Sequence, residues 1–183
     1  MSLSGAGCGG LDAEAMIAGR LLRLPKHSTV FQLYGALEEA EARIGLARSM
    51  ARGRGVEEAL LAAERLVRGA LHLLASGDTG VVEPLLAAAG EAAAALGEPS
   101  GWSLAGCSVE EAEAAVAAAK AREAERLVSG LVTEGLLPRP LGEAVSALLA
   151  AAADILYRAR RRLCGDKMGA SSSRALVLAT RGN

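Results

Sequence analysis

Apolar residues recur at three- and four-residue steps through most of this chain, and that period commits it to helices packed against helices. Between Ser28 and about Arg52, the residues Val30, Leu33, Leu37, Ala40, Ile44 and Ala47 fall on one stripe of a 3.6-residue helix. Between about Leu141 and Leu163, Leu141, Val145, Leu148, Ala152, Ile155 and Ala159 do the same. Aromatic residues make up only 2% of a sequence that is 51% hydrophobic, so the core must be built from Ala, Leu and Val. Small side chains let helix backbones approach closely, which favours a bundle over a sandwich. Alternating β-branched and aromatic runs, the mark of strands, are nearly absent.

Three more helices are expected between these two. The second runs from about Val56 to Ala75, with Leu60, Val67, Leu71 and Leu74 on its core face. Gly53 and Gly55 end the first helix, and Gly77-Asp78-Thr79-Gly80 reads as a turn. A shorter third helix falls between Val81 and Leu96, where Pro84 is tolerable only in the first turn. The fourth has the plainest start, because Ser108-Val109-Glu110-Glu111 reads as a capping box. It continues through Val128, with an extension past Gly130 as the alternative, and Leu136-Leu137-Pro138-Arg139-Pro140 breaks the chain. Ser28 or Thr29 is expected to cap the first helix. The expectation is an all-α, five-helix bundle over residues 28–164, behind a Gly-rich segment 1–27 read as a flexible N-terminus and ahead of a flexible tail 165–183.

Charge and composition exclude several classes of partner. At 183 residues the chain is long enough for one domain with a core of its own. A net charge of −1 gives no broad field to attract nucleic acid or an anionic membrane. The sequence shows no uninterrupted apolar run long enough to span a bilayer and no basic-then-apolar leader, so a cytoplasmic location is expected. Cys8, Cys107 and Cys164 are odd in number and far apart in sequence, which suits free thiols better than a disulfide framework. His27 and His72 stand alone without zinc spacing, and His72 reads as a helix-surface or interface residue rather than a ligand. Gly5, Gly7 and Gly10 fit G-x-G-x-x-G in letters, but no strand signal precedes them.

Four segments carry a family resemblance. They are Tyr34-Gly35-Ala36-Leu37-Glu38-Glu39, then Arg43-Ile44-Gly45-Leu46-Ala47-Arg48, then Leu104-Ala105-Gly106-Cys107-Ser108, then Arg122-Glu123-Ala124-Glu125-Arg126. Upstream, Arg23-Leu24-Pro25-Lys26 stands in register with a family Arg-Val-x-Lys step, and on the last helix Asp154, Leu156 and Tyr157 match a family Asp-x-Leu-Phe. In order and spacing this resembles the trimeric, helical ATP:cob(I)alamin adenosyltransferases, over residues 23 to about 161. The resemblance implies a five-helix bundle that assembles as a homotrimer with active sites between neighbouring subunits. It implies ATP, Mg²⁺ and cobalamin as ligands, with the reduced cobalt attacking the ribose 5′ carbon. It places Glu38, Arg122 and Glu125 in catalytic roles and Arg23, Lys26, Arg126 and Asp154 against the cofactor. It assigns no protein ligand to a metal.

The departures from that family fall on the nucleotide chemistry. A family Thr-Gly-Asp-x-Gly-Thr phosphate loop has as its nearest counterpart Gly5-Ala6-Gly7-Cys8-Gly9-Gly10, without Asp or hydroxyl. An arginine expected four residues before Arg122 is Ala118, which leaves Glu38 without its cross-subunit partner. A family Asn-Arg pair on the last helix is Ala150-Ala151. Each lost donor at a charged centre removes roughly 1.5–3 kcal/mol. Gly165-Asp166-Lys167 echoes the lost loop in wording, either as a relocated loop or as coincidence. Trp102 and Tyr157 read as packing aromatics. Two readings follow: an adenosyltransferase-like protein weak or inactive in transfer, or a non-catalytic relative that assembles with itself or with an active homologue.

Overall fold

The computed structural model describes residues 10–98 and 106–165. A hairpin of β1 (Asp12–Ile17) and β2 (Arg20–Pro25) leads into α1 (Thr29–Met50), α2 (Glu57–Ser76), α3 (Val82–Leu96), α4 (Val109–Thr133) and α5 (Arg139–Cys164). A 3-10 turn at Thr79–Val81 introduces α3. Four of the five helices stand within one or two residues of their expected limits, and α4 runs past both Val128 and Gly130 to Thr133. Every residue named above on the stripes of the first and last helices is buried. On α2, Leu60, Val67 and Leu74 are buried and Leu71 is half-buried.

The helices form a bundle because each buries one stripe of small and branched residues. α4 sits between α1 and α5, and α5 also packs on α2 and α3. Ala114, Ala117, Ala118, Ala121 and Ala124 form the buried stripe of α4, which lets both neighbours come close. Gly142 serves the same end on α5, since a methyl group there would run into Val132 of α4. Two ion pairs align α1 with α4 in opposite directions: Arg43 with Glu113 at 2.9 Å and Lys120 with Glu39 at 3.1 Å.

The hairpin corrects the expectation of a strandless N-terminal segment. Ala13 pairs with Leu24 and Ala15 with Leu22 across its inner face. Ala15 and Ile17 are buried in the core, and Leu22 and Leu24 pack against it. The alternation is real but is carried by Ala and Leu, which have weak strand preference, so it left no propensity signal. Ala18 and Gly19 form a two-residue turn with both φ angles positive, 50° and 76°. Their N–H groups donate to Leu74 O and Ala75 O, both at 2.8 Å. The turn therefore satisfies carbonyls that the end of α2 leaves open, and tertiary contact supplies what propensity does not.

Three further expectations are corrected. Cys107 and Cys164 are not free thiols: they form a disulfide across a separation of 57 residues. The antiparallel pairing of α4 and α5 brings the start of one beside the end of the other, which spacing along the chain conceals. Ser28 occupies the N-cap of α1 but makes no side-chain cap bond, and its Oγ is buried without a hydrogen-bond partner. Thr29 instead donates to Glu134 Oε1 at 3.0 Å. Two stretches, Thr79–Leu96 and Arg139–Cys164, are long and apolar enough to cross a membrane by length and composition alone. In Arg139–Cys164 half of the residues of the apolar stretch are buried inside the bundle, so this helix serves the core. Cys8, Trp102, Leu104, Ala105, Asp166 and Lys167 lie outside the described residues, as do the N-terminal glycines at 5, 7 and 9.

Candidate functional site

One turn of α4 gathers three of the expected site residues. Arg122 and Arg126 are four apart on an exposed face, and Glu125 lies between them, half-buried. Among the described residues neither arginine has a hydrogen-bond or ion-pair partner, whereas Arg43, Arg48, Arg54, Arg68, Arg158 and Arg160 are all paired with carboxylates. Burial raises the pKa of Glu125, and the two neighbouring guanidinium charges pull it back down. A carboxyl held between desolvation and two cations is sensitive to any anion that arrives beside it.

Glu125 also forms part of the wall of a groove of about 440 Å³ between α4 and α5. α4 contributes Ser129 and Thr133, and α5 contributes Arg139, Glu143 and Ser146. Ala150, where the family resemblance expects a polar side chain, also lines it. None of these polar groups was singled out from sequence except Glu125. A Ser, Thr or Glu on an exposed helix face carries no signal of its own, and only the packing of the two helices makes a groove of them.

The other expected residues lie apart from this turn. Arg23 is exposed on β2, with its Nε 3.9 Å from Asp12 Oδ2 across the hairpin. Lys26 is exposed where β2 turns into α1, and its backbone N–H donates to Leu11 O at 2.9 Å. It stands beside the start of α1, whose first turn holds no acidic residue and whose Ser28 Oγ is unpartnered. Open N–H groups at a helix start, a hydroxyl and a lysine are a suitable setting for an anion. Glu38 is exposed on α1 and has no partner among the described residues, while Ala118 is only 2% exposed on α4.

Asp154 is exposed on α5. It accepts from Arg158 Nε at 2.7 Å, and Arg158 reaches on to Gly97 O and Glu98 beyond the end of α3. Its carboxylate is engaged in holding α5 to α3. Tyr157 is half-buried beside it, and His72 is exposed on α2.

The expected capping box is half present. Glu111 N donates to Ser108 Oγ at 3.3 Å, but the Glu111 carboxylate passes over Ser108 and accepts from Gly106 N at 2.6 Å. Its other oxygen takes Arg160 of α5 at 2.7 Å. Glu111 is wholly buried, so this pair is a core contact between helices as well as a cap.

Mg²⁺ carried on a nucleotide keeps most of its ligands as water and phosphate and asks for one or two carboxylates. Glu125 and Glu143 both line the groove and are carboxylates of that kind, with Glu143 3.7 Å from Arg139 Nη1. No cluster of three metal-ligating side chains gathers there among the described residues.

A family model described as cobalamin adenosyltransferase matches residues 12–163. No curated protein matches the sequence. Among solved structures, the chain resembles an ATP-complexed variant of the PduO-type ATP:co(I)rrinoid adenosyltransferase from Lactobacillus reuteri. That match has a TM-score of 0.65 at 19% identity and covers 82% of this chain and 88% of that one. At this identity the structural likeness establishes the helical-bundle fold.

Proposed function

The chain belongs to the cobalamin adenosyltransferase family, and from that premise we propose that it is a nucleotide- and corrinoid-binding member, weak or inactive in transferring the adenosyl group of ATP to corrinoid cobalt. The observation that carries this reading is the turn of α4 on which Arg122 and Arg126 flank Glu125 with their guanidinium groups uncommitted. Exposed arginines four apart on one helix repel each other slightly and gain nothing from that placement. They gain from an anion that both can reach, and guanidinium groups match phosphate oxygens by geometry as well as charge.

In this reading the protein assembles as a homotrimer. Lys26 and the open start of α1 from one subunit meet Arg122 and Arg126 of the next around the triphosphate. Glu125 and Glu143 would be the carboxylates available to hold Mg²⁺, which would offset the charge of the phosphates. Arg23 adds charge at the hairpin, and Glu38 sits at the corrinoid side of the ribose. What these residues do is bind, orient and neutralise. Ala118, Ala150 and Ala151 supply no donors where the family resemblance expects them. Three missing charge-assisted contacts at roughly 1.5–3 kcal/mol each weaken turnover by several orders of magnitude.

Those same alanines favour a second reading, a non-catalytic relative whose site is kept for assembly. Calorimetric titration with MgATP and with cobalamin separates the two. Binding of MgATP that falls at least tenfold in Arg122→Ala, with slow or no adenosylation of reduced cobalamin, supports the first. Silence toward both ligands overturns it. Exposed and unpaired, Arg122 and Arg126 contribute within about 0.5 kcal/mol to stability, so Arg122→Ala and Arg126→Ala unfold like the parent chain.

A further inference from the structure

The start of α4 and the end of α5 bring together three groups that no part of the nucleotide site uses. Cys107 and Cys164 are joined there, and a carboxylate oxygen of Glu111 lies within 4.8 Å of both sulfurs. Glu111 is wholly buried, yet its carboxylate is held by two donors from outside the cluster. Gly106 N–H takes one oxygen at 2.6 Å and Arg160 Nε the other at 2.7 Å. Such donors fix the direction of a ligating carboxylate and leave its remaining lone pairs available.

We propose that this cluster is a redox-gated site for a thiophilic divalent cation of the zinc type, with Cys107 Sγ, Cys164 Sγ and Glu111 as ligands when the disulfide is open. The argument is one of charge and reach. In the closed state the sulfurs are neutral, and Glu111 and Arg160 cancel each other. Opening the disulfide by a dithiol consumes two electrons and two protons, leaves two thiols and oxidises the dithiol to its own disulfide. A pair of thiolates formed beside the buried Glu111 carboxylate would repel it, with Arg160 on that carboxylate and Arg54 on the Leu163 carbonyl beside Cys164 offsetting the charge only in part. A divalent cation that displaces the two thiol protons removes that repulsion, so cation binding and thiol ionisation occur together.

The geometry allows it. Zinc–sulfur bonds of about 2.3 Å set the two sulfurs somewhat under 4 Å apart. Their Cα atoms are 5.7 Å apart on two helix ends, so rotation about the side-chain bonds opens that distance without moving the backbone. Cys107 is exposed, which gives the cation an entry path and leaves a fourth position for water. Two thiolates and one carboxylate favour zinc-like ions over Mg²⁺ or Ca²⁺.

The test uses the full chain carrying Cys8→Ser, which removes the remaining thiol. After treatment with a phosphine reductant and its removal, the protein is titrated with Co²⁺ and, in competition, Zn²⁺. The expected result is one ion per chain with a thiolate-to-cobalt charge-transfer band, stronger binding at higher pH as protons are displaced, and no binding by the oxidised protein. Cys107→Ser and Cys164→Ser each lose the ion, and Glu111→Gln weakens it roughly 10–100-fold. Absence of the band in the reduced protein overturns the site. So does equal binding by the oxidised protein or by either serine variant. A folded Glu111→Gln chain that binds as tightly as the parent overturns the assignment of the carboxylate.

Discussion

The hydroxyl of Tyr34 on α1 donates to the Met16 carbonyl of β1 at 2.5 Å, and this bond ties the N-terminal hairpin to the bundle. The hairpin is otherwise held by Ala15 and Ile17 in the core and by its turn at the end of α2. A two-stranded hairpin does not persist alone in water. Its position, and with it that of Arg23 and Lys26, depends on these few anchors.

Tyr34→Phe therefore loosens the hairpin at a loss of about 1 kcal/mol. Burial raises the Tyr34 pKa from 10.0 to about 12. A raised folded-state pKa gives a contribution that is complete below pH 10 and lost as pH climbs through 12. The parent chain should lose stability over that window more steeply than Tyr34→Phe in denaturant unfolding followed by far-ultraviolet circular dichroism. Equal slopes in the two chains would rule out this role for the tyrosine.

Glu111 and Arg160 form the buried ion pair of the α4–α5 contact, with side-chain exposures of 0% and 12%. Removing one partner strands the other. Glu111→Ala or Arg160→Ala should each destabilise by about 3–5 kcal/mol. A Glu111→Leu, Arg160→Leu double variant should recover much of that loss, because the unpaired charge is gone. A double-mutant cycle in urea reads the coupling directly, and purely additive single losses would show that the pair does not act as a unit.

The Cys107–Cys164 disulfide closes a loop of 57 residues' separation that contains all of α4 and α5. Restricting the unfolded chain over such a loop stabilises the fold by about 4 kcal/mol. Cys107→Ser, which leaves Cys164 without its partner, should lower the denaturation midpoint under oxidising conditions. The same variant should match the parent once both are reduced. A difference that persists after reduction would assign the effect to packing.

Glu125 supplies a titration on the acid side. Its folded-state pKa is raised above the ordinary 4.5 by burial, so its contribution is complete below that value and lost as pH rises through the folded pKa. Glu125→Gln should abolish this loss, narrowing the gap to the parent at low pH and gaining on it near neutrality. MgATP should alter the titration in the parent if the phosphates displace Arg122 and Arg126 from its vicinity. Identical pH profiles for the two proteins would show that the carboxyl does not feel its surroundings.

The helices were legible because their stripes repeat over five or six turns. Val30, Leu33, Leu37, Ala40, Ile44 and Ala47 have one consistent way to be buried together. The hairpin was not legible, because its alternation is carried by Ala13, Ala15, Leu22 and Leu24, residue types that favour helices. Arg122, Glu125 and Arg126 came from the family resemblance and do share a turn. Asp154 came from it too, yet its carboxylate is engaged by Arg158. The groove residues Ser129, Glu143 and Ser146 gave no signal, because each is unremarkable until two helices face each other.

By itself the sequence determined the number of helices, their limits and the faces they bury, because those follow from local hydrophobic period and from glycine and proline punctuation. Only the tertiary structure decided which distant groups meet. Cys107 reaches Cys164, Glu111 reaches Arg160, and the turn at Ala18-Gly19 reaches the end of α2. Contacts across tens of residues are set by how helices cross and pack, and no local pattern encodes that.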